Sequence, residues 1–246
     1  MQAGMDTIKI EKRQVRMIAH RGLSGLEKEN TCSAFVAAGN RASYFGVETD
    51  VHRTADGQYI IFHDDDTARV GIDSMILEKT TFETLRDLQL SDIDGKRGRI
   101  DLRMPTLEEY ISICQKYGKD CVLELKNPFP ARDIRQILSC IAKTGYLEHV
   151  IFISFVLQNL ILLRRRLPQQ RAQYLLSTFD EKDLAVLRRY HLGLDIRYTA
   201  LTPQIVEQVH AAGQEVNCWT VNTAEDGDRM VAMGVDYITT NILEGI

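Results

Sequence analysis

Gly46-Val47-Glu48-Thr49-Asp50-Val51-His52-Arg53-Thr54-Ala55-Asp56-Gly57-Gln58-Tyr59-Ile60-Ile61-Phe62-His63-Asp64 is the stretch whose reading decides the fold. Two strand patterns, residues 46–53 and 58–65, flank Asp56-Gly57. An Asp-Gly pair between strands is a strong signal for a tight hairpin, so the two runs are expected to pair antiparallel. With a two-residue turn, Ala55 faces Gln58, Asp50 faces His63 and Glu48 faces Asp65. Side chains two apart share a face of a strand. Glu48, Asp50 and His63 are therefore expected to cluster at one end of the hairpin.

Seven further runs read as strands: residues 15–20, 121–126, 150–155, 173–177, 193–196, 215–221 and 237–240. Several are almost continuously apolar, the pattern of strands covered on both faces in a parallel sheet. Helix starts fall between them. Thr106-Leu107-Glu108-Glu109 after Pro105 reads as a capping box, and Thr202-Pro203 places a cap before a first-turn proline. Asn30-Thr31 and Asn222-Thr223 are further caps, and Gly213 is a helix stop. Strand–helix alternation of this kind predicts an α/β fold. Nine strands are one too many for an eight-stranded barrel, and the hairpin accounts for the extra one. Residues 66–103 are polar, with a helical patch near 82–90, and read as an insertion within a single domain spanning 1–246.

Composition narrows the function classes. The chain has 246 residues, 44% hydrophobic and 26% charged, with a formal net charge of −4. That length supports a substantial core, and that charge implies no nucleic-acid partner. Arg164-Arg165-Arg166 reads as a solvated helix face. The five cysteines, Cys32, Cys114, Cys121, Cys140 and Cys218, are odd in number and lack a Cys-x-x-Cys spacing. Reduced thiols are expected. Residues 1–14 lack an apolar signal core, and no run approaches the roughly 18 apolar residues of a membrane span. A cytoplasmic location without stable membrane insertion is expected. An exposed barrel face leaves room for a homo-oligomer.

The polar residues at strand ends suggest the chemistry. Glu48, Asp50 and Glu124 are hard oxygen donors that suit Mg²⁺ or Ca²⁺ better than Zn²⁺. The alternative is that Glu48 and Glu124 merely pair with Arg21 and Lys126. Those two cations suit a phosphate, Arg as a fork and Lys as a point charge. His20 and His63 fit general acid and base roles, since imidazole titrates near neutrality; strand-end histidines also serve structurally. His52 reads as solvated, beyond the strand end. Trp219 reads as core or as a pocket wall. Phe129, in a loop after a strand, is a candidate channel lining. No Gly-rich phosphate loop and no Gly-x-Ser-x-Gly elbow is present.

These residues resemble the glycerophosphodiester phosphodiesterase family. The likeness runs through Ala19-His20-Arg21-Gly22, Glu29-Asn30-Thr31, Glu48-x-Asp50-Val51, Thr54-x-Asp56-Gly57, His63-Asp64, Leu123-Glu124-Leu125-Lys126 and Trp219-Thr220-Val221-Asn222. Each motif is weak alone; the ordered set is specific. The resemblance implies a TIM-type (β/α)8 barrel with a small insertion after the third strand and a site at the strands' C-terminal ends. It implies metal ligation by Glu48, Asp50 and Glu124, acid–base roles for His20 and His63, and phosphate contacts from Arg21 and Lys126. Glu29 is implied near the metal, and Trp219 as a wall of the glycerol pocket. The implied reaction is metal-dependent hydrolysis of a small-molecule glycerophosphodiester to an alcohol and glycerol 3-phosphate. Alternatives are a phospholipase-type lyase forming a cyclic phosphate and a non-catalytic phosphodiester-binding barrel. Lys28 stands where the family often has proline, and Thr239-Thr240-Asn241 replaces a more usual Thr-Asp. Neither departure is expected to touch the catalytic set.

Overall fold

The structure is a computed structural model that describes residues 6–70 and 74–246; residues 71–73 lie inside the expected insertion. The strands are β1 (Ile8–Ile10), β2 (Arg16–Ala19), β3 (Tyr44–Arg53), β4 (Tyr59–Ile61), β5 (Asp120–Leu125), β6 (Val150–Ser154), β7 (Ala172–Leu176), β8 (Gly193–Arg197), β9 (Val216–Trp219), β10 (Tyr237–Thr240) and β11 (Leu243–Gly245). The α-helices are α1 (Cys32–Gly39), α2 (Phe82–Asp87), α3 (Leu107–Tyr117), α4 (Ala131–Lys143), α5 (Leu157–Arg166), α6 (Glu181–Tyr190), α7 (Pro203–Ala211) and α8 (Ala224–Met233). Eight parallel strands close a barrel in the order β2-β3-β5-β6-β7-β8-β9-β10, with β10 pairing back onto β2. This is the TIM-type architecture.

β4 stands outside the ring. β2 pairs with β3 only as far as Val47, and the end of β3 runs on to pair antiparallel with β4. The ninth strand is thus a hairpin arm, as expected, but the register differs. Observed partners are Val51 with Ile61, His52 with Ile60 and Arg53 with Tyr59. The Thr54 amide donates to Gln58 O at 2.9 Å, so the loop holds three residues rather than two. Thr54 Oγ1 donates to Asp56 Oδ1 (2.6 Å) and accepts from the Gln58 amide (3.0 Å). Gly57 adopts φ 80°, the left-handed position that closes a three-residue hairpin loop. Asp50 consequently opposes Phe62, whose amide donates to Asp50 O at 3.1 Å. His63 lies past the last ladder pair instead of facing Asp50.

Strand alternation places the carboxylates. Val47 and Val51 of β3, and Cys121, Leu123 and Leu125 of β5, pack into the main core that includes the helices' apolar faces. The intervening Glu48, Asp50, Val122 and Glu124 therefore face the lumen. Register partners across the two strands are Glu48 with Val122 and Asp50 with Glu124. Lower in the lumen, Ile18, Val122, Ile151, Ile153, Leu175 and Tyr237 form a separate apolar plug.

The N-terminal end of the barrel is closed by charge and aromatics. Arg16 meets Glu215 Oε1 at 3.2 Å and also the Tyr237 hydroxyl. Arg171 donates to the Tyr237 hydroxyl at 2.9 Å and to Asp120 Oδ2 at 2.5 Å. Both guanidiniums lie over the Phe45 ring, 5.5 and 5.6 Å from its centroid.

Helix starts follow the expected caps. Thr106 and Glu109 form a capping box on α3, Thr31 caps α1 and Thr202 caps α7 ahead of Pro203. Within Asn222-Thr223 it is Thr223 that caps α8, while Asn222 Oδ1 accepts the Asn241 amide at 2.9 Å. The segment after β4 builds its own core from Ile60, Phe62, Val70, Leu77, Leu85, Leu90, Leu102 and Met104. Arg99 ties it to Glu27 at 2.8 Å, and Arg86 ties it to Glu109 at 2.8 Å. The three-residue β1 and β11, too short to show in the sequence pattern, form a second parallel sheet whose Ile10 and Leu243 lie against Gly227 of α8.

Candidate active site

A cavity of about 110 Å³ opens at the C-terminal ends of the barrel strands. Its polar side is lined by His20, Arg21, Glu48, His63, Glu124 and Lys126. Its other side is lined by Ile153, Phe155, Leu175, Asp195, Trp219, Thr220 and Thr239. Seven residues singled out from sequence therefore share one cavity.

Glu48, Asp50 and Glu124 are buried, and one oxygen of each lies within 4.8 Å of the others. The surroundings fix each carboxylate. The Arg21 amide donates to Glu48 Oε2 at 2.8 Å. Arg21 presents that amide from a left-handed conformation, φ 54°, and Gly22 follows at φ 77°. A Cβ on Gly22 would lie 2.6 Å from the Ala34 carbonyl carbon, so glycine is required for the loop to approach α1. Asn30 Nδ2 donates to Asp50 Oδ2 at 2.8 Å, and Thr49 Oγ1 donates to Asn30 Oδ1 at 2.7 Å, which orients that amide. Lys126 Nζ lies 3.0 Å from Glu124 Oε1 and 3.5 Å from Asp50 Oδ1. Arg21 Nε lies 3.7 Å from Asp50 Oδ2.

The electrostatics divide the three. Burial and the neighbouring Asp50 charge push Glu48 and Glu124 well up from the carboxylate range. Against its own burial, Asp50 is held low by Lys126 and Arg21. Asp50 Oδ1 is buried and has no hydrogen-bond partner. Three buried carboxylates repel one another, and a hard divalent cation is the group that oxygen donors at this spacing fit.

The two imidazoles have unlike partners. His20 Nδ1 lies 2.7 Å from Asn241 Oδ1, an acceptor, so this nitrogen carries the hydrogen. Its Nε2 lies 4.0 Å from Glu48 Oε2. Burial, and then Arg21, pull His20 down to about 4. His63 Nδ1 lies 2.6 Å from Asp64 Oδ1, a carboxylate; burial lowers His63 while Asp50 and Asp64 oppose the fall. Asn241 thus touches His20, one of the candidate acid–base residues, contrary to the expectation for the departure at 239–241. His52 is also corrected: it is fully buried, its Nε2 3.2 Å from His63 O. The end of β3 carries it inside because β4 and the segment beyond cover it.

Behind the cavity runs a chain of ion pairs. Arg21 Nη1 donates to Glu29 Oε1 at 2.9 Å. Arg69 donates to Glu29 Oε1 at 2.5 Å and to Asp64 Oδ2 at 2.6 Å. Arg69 links the segment after β4 to both His63 and Arg21, and nothing in its sequence context marked it. Asn30 was read only as a cap; its place in Glu29-Asn30-Thr31 was the available signal. Trp219 walls the cavity, with Phe155 edge-on at 5.7 Å and Arg197 over the ring at 5.6 Å. Phe129 does not line the cavity. It is buried in the main core, where Asn159 Oδ1 accepts its amide at 2.9 Å and draws the loop onto α5.

Fold and site together define a (β/α)8-barrel phosphoric diester hydrolase. The profile of the glycerophosphoryl diester phosphodiesterase family matches residues 20–244, and the chain belongs to that family. A glycerophosphodiester phosphodiesterase of Caldanaerobacter subterraneus subsp. tengcongensis is 28% identical over 229 residues, covering 92% of this chain and 93% of the relative. One from Bacillus subtilis is 25% identical over 249 residues, covering 93% of this chain and 84% of the relative. Among solved structures, an Oleispira antarctica phosphodiesterase in complex with the product sn-glycerol-3-phosphate superposes with a TM-score of 0.78 at 26% identity, covering 92% of each chain. A Parabacteroides distasonis glycerophosphodiester phosphodiesterase gives 0.77 at 26% identity, covering 96% of this chain and 94% of that one.

Proposed function

We propose that this chain hydrolyses glycerophosphodiesters to an alcohol and glycerol 3-phosphate, with Glu48, Asp50 and Glu124 holding Mg²⁺ or Ca²⁺. The observation that carries this reading is the convergence of Glu48, Glu124, two cations and two imidazoles on one cavity, with the Asp50 carboxylate clustered beside the two glutamates. The glycerol 3-phosphate bound by the Oleispira antarctica relative supports the substrate class. A divalent ion bound there supplies stabilisation of the negative charge that develops on the phosphoryl group. Arg21 and Lys126 hold the phosphate oxygens. Glu29 steadies Arg21, and Trp219 walls the glycerol side.

The unlike histidine partners support a division of labour. His20, hydrogen-bonded to a neutral amide and drawn down to about 4, is a free base at neutral pH and takes the nucleophile's proton on Nε2. His63 is the acid that protonates the leaving oxygen: the Asp50 and Asp64 carboxylates favour its imidazolium against the burial that lowers it. We also read residues 66–103 as an insertion within a single barrel domain. The five unpaired cysteines support a cytoplasmic location, and among the described residues no helix is long and apolar enough to cross a membrane.

The test is release of glycerol 3-phosphate from a panel of glycerophosphodiesters by the purified protein, with Mg²⁺, Ca²⁺ or EDTA. Activity unmoved by chelation refutes the metal assignment. Near-normal turnover by His20→Ala refutes the base assignment. A cyclic phosphate as sole product moves the chain to the lyase route.

A further inference from the structure

The charged side of the cavity accounts for a metal and a phosphate; the opposite wall carries polar groups that neither uses. Asp195 sits on β8 between its register partners Leu175 and Asn217. It lines the cavity, is 2% exposed, and its Oδ1 has no hydrogen-bond partner. Trp219 Nε1, on the same wall, is also buried without a partner. Asn217 and Gln173, which do not line the cavity, bond each other, although Gln173 Nε2 is left without a partner. Asn217 Nδ2 donates to Gln173 Oε1 at 3.2 Å, and Thr239 Oγ1 donates to Asn217 Oδ1 at 3.1 Å. Buried polar atoms are nearly always paired, so an unpaired acceptor and an unpaired donor on one cavity wall point to a ligand.

The pair defines the ligand's chemistry. A carboxyl oxygen takes a hydrogen bond, and an indole N–H gives one. A hydroxyl does both. An anion belongs beside Arg21 and Lys126. An ammonium group has nothing to offer the indole N–H. The remaining wall, Ile153, Leu175 and the Trp219 ring, suits a short carbon chain. We propose that Asp195 is a specificity-determining residue that receives a hydroxyl of the substrate's glycerol moiety, so that the site selects polyol phosphodiesters over alkyl ones. This rests on the glycerophosphodiesterase reading above.

The experiment compares sn-glycerol 3-phosphate with n-propyl phosphate, its counterpart without hydroxyls, as inhibitors of glycerophosphocholine hydrolysis by metal-loaded enzyme. The wild type should prefer glycerol 3-phosphate. Asp195→Leu should weaken glycerol 3-phosphate by about 5- to 10-fold, the upper range of one hydrogen bond between neutral groups, and leave n-propyl phosphate within about twofold. Asp195→Asn, which keeps an acceptor, should fall between, and it serves alone if the leucine variant does not fold. No wild-type preference overturns the proposal, as does equal weakening of both inhibitors or an unchanged preference in the variants. A wild type that hydrolyses no glycerophosphodiester refutes the functional reading instead.

Discussion

Asn241→Asp isolates what a neutral partner does for His20. The substitution places a carboxylate where an amide oxygen now lies 2.7 Å from His20 Nδ1. At that distance, with an effective dielectric near 20, a unit charge favours the imidazolium by on the order of 6 kcal/mol. Burying the new carboxylate offsets much of this, and opposite charges at such range shift titrations by about 1–3 pH units. His20 starts from about 4. A base loses activity as pH falls through its folded pKa, so a higher value moves the acid limb upward. For a two-unit rise, kcat/KM at pH 5 should fall about 10-fold relative to wild type, with values above pH 8 within about threefold. The assay is kcat/KM for glycerophosphocholine from pH 4 to 9 at saturating metal. Asp64→Asn is the mirror control: removing the charge 2.6 Å from His63 Nδ1 should draw the basic limb downward. An acid limb that stays put or moves down in Asn241→Asp refutes the assignment of His20 as base.

Other consequences concern the metal and the insertion. Glu48 and Glu124 are raised when folded, Glu124 to about 7, so the metal-free fold binds extra protons and loses stability as pH climbs from the ordinary glutamate range toward that value. Saturating Mg²⁺ or Ca²⁺ should therefore raise Tm more at pH 8 than at pH 5. At 100 times Kd the gain is about 2.7 kcal/mol, or roughly 5–10 °C for a chain this size; scanning calorimetry showing equal gains at both pH values contradicts the cluster's role. Arg69→Ala cuts the bonds to Glu29 and Asp64. It should lower kcat about 10-fold through misplaced Arg21 and His63 while KM and Tm change little, with Arg69→Lys restoring only part; unchanged kcat in steady-state kinetics removes Arg69 from the positioning network.

What could be read from sequence was whatever the local pattern enforces. Buried parallel strands show as apolar runs, and period-two alternation alone puts Glu48, Asp50 and Glu124 on lumen faces. Thr106 and Thr202 announce their helices because capping is a contact within four residues. The hairpin's existence was legible, but its register was not. Thr54 bonds both Asp56 and Gln58 and widens the loop by one residue, a choice made by side chains rather than by the Asp-Gly pair. Non-local partners were the least visible. Asn241 is 221 residues from His20 and meets it only because β10 closes the barrel against β2. Phe129 and His52 were misread for a similar reason: a loop and a strand end look exposed until α5, or the segment after β4, is packed over them.

The sealed N-terminal end of the barrel sets the order of traffic. With Arg16, Arg171, Tyr237 and Phe45 blocking the far side, substrate and both products share the mouth at the strands' C-terminal ends, where Phe155 and Trp219 are part of the cavity wall. In the proposed reaction the alcohol carries no phosphate for Arg21 and Lys126 to grip, so it departs first. Glycerol 3-phosphate, held by both cations, leaves last and competes directly with the next substrate.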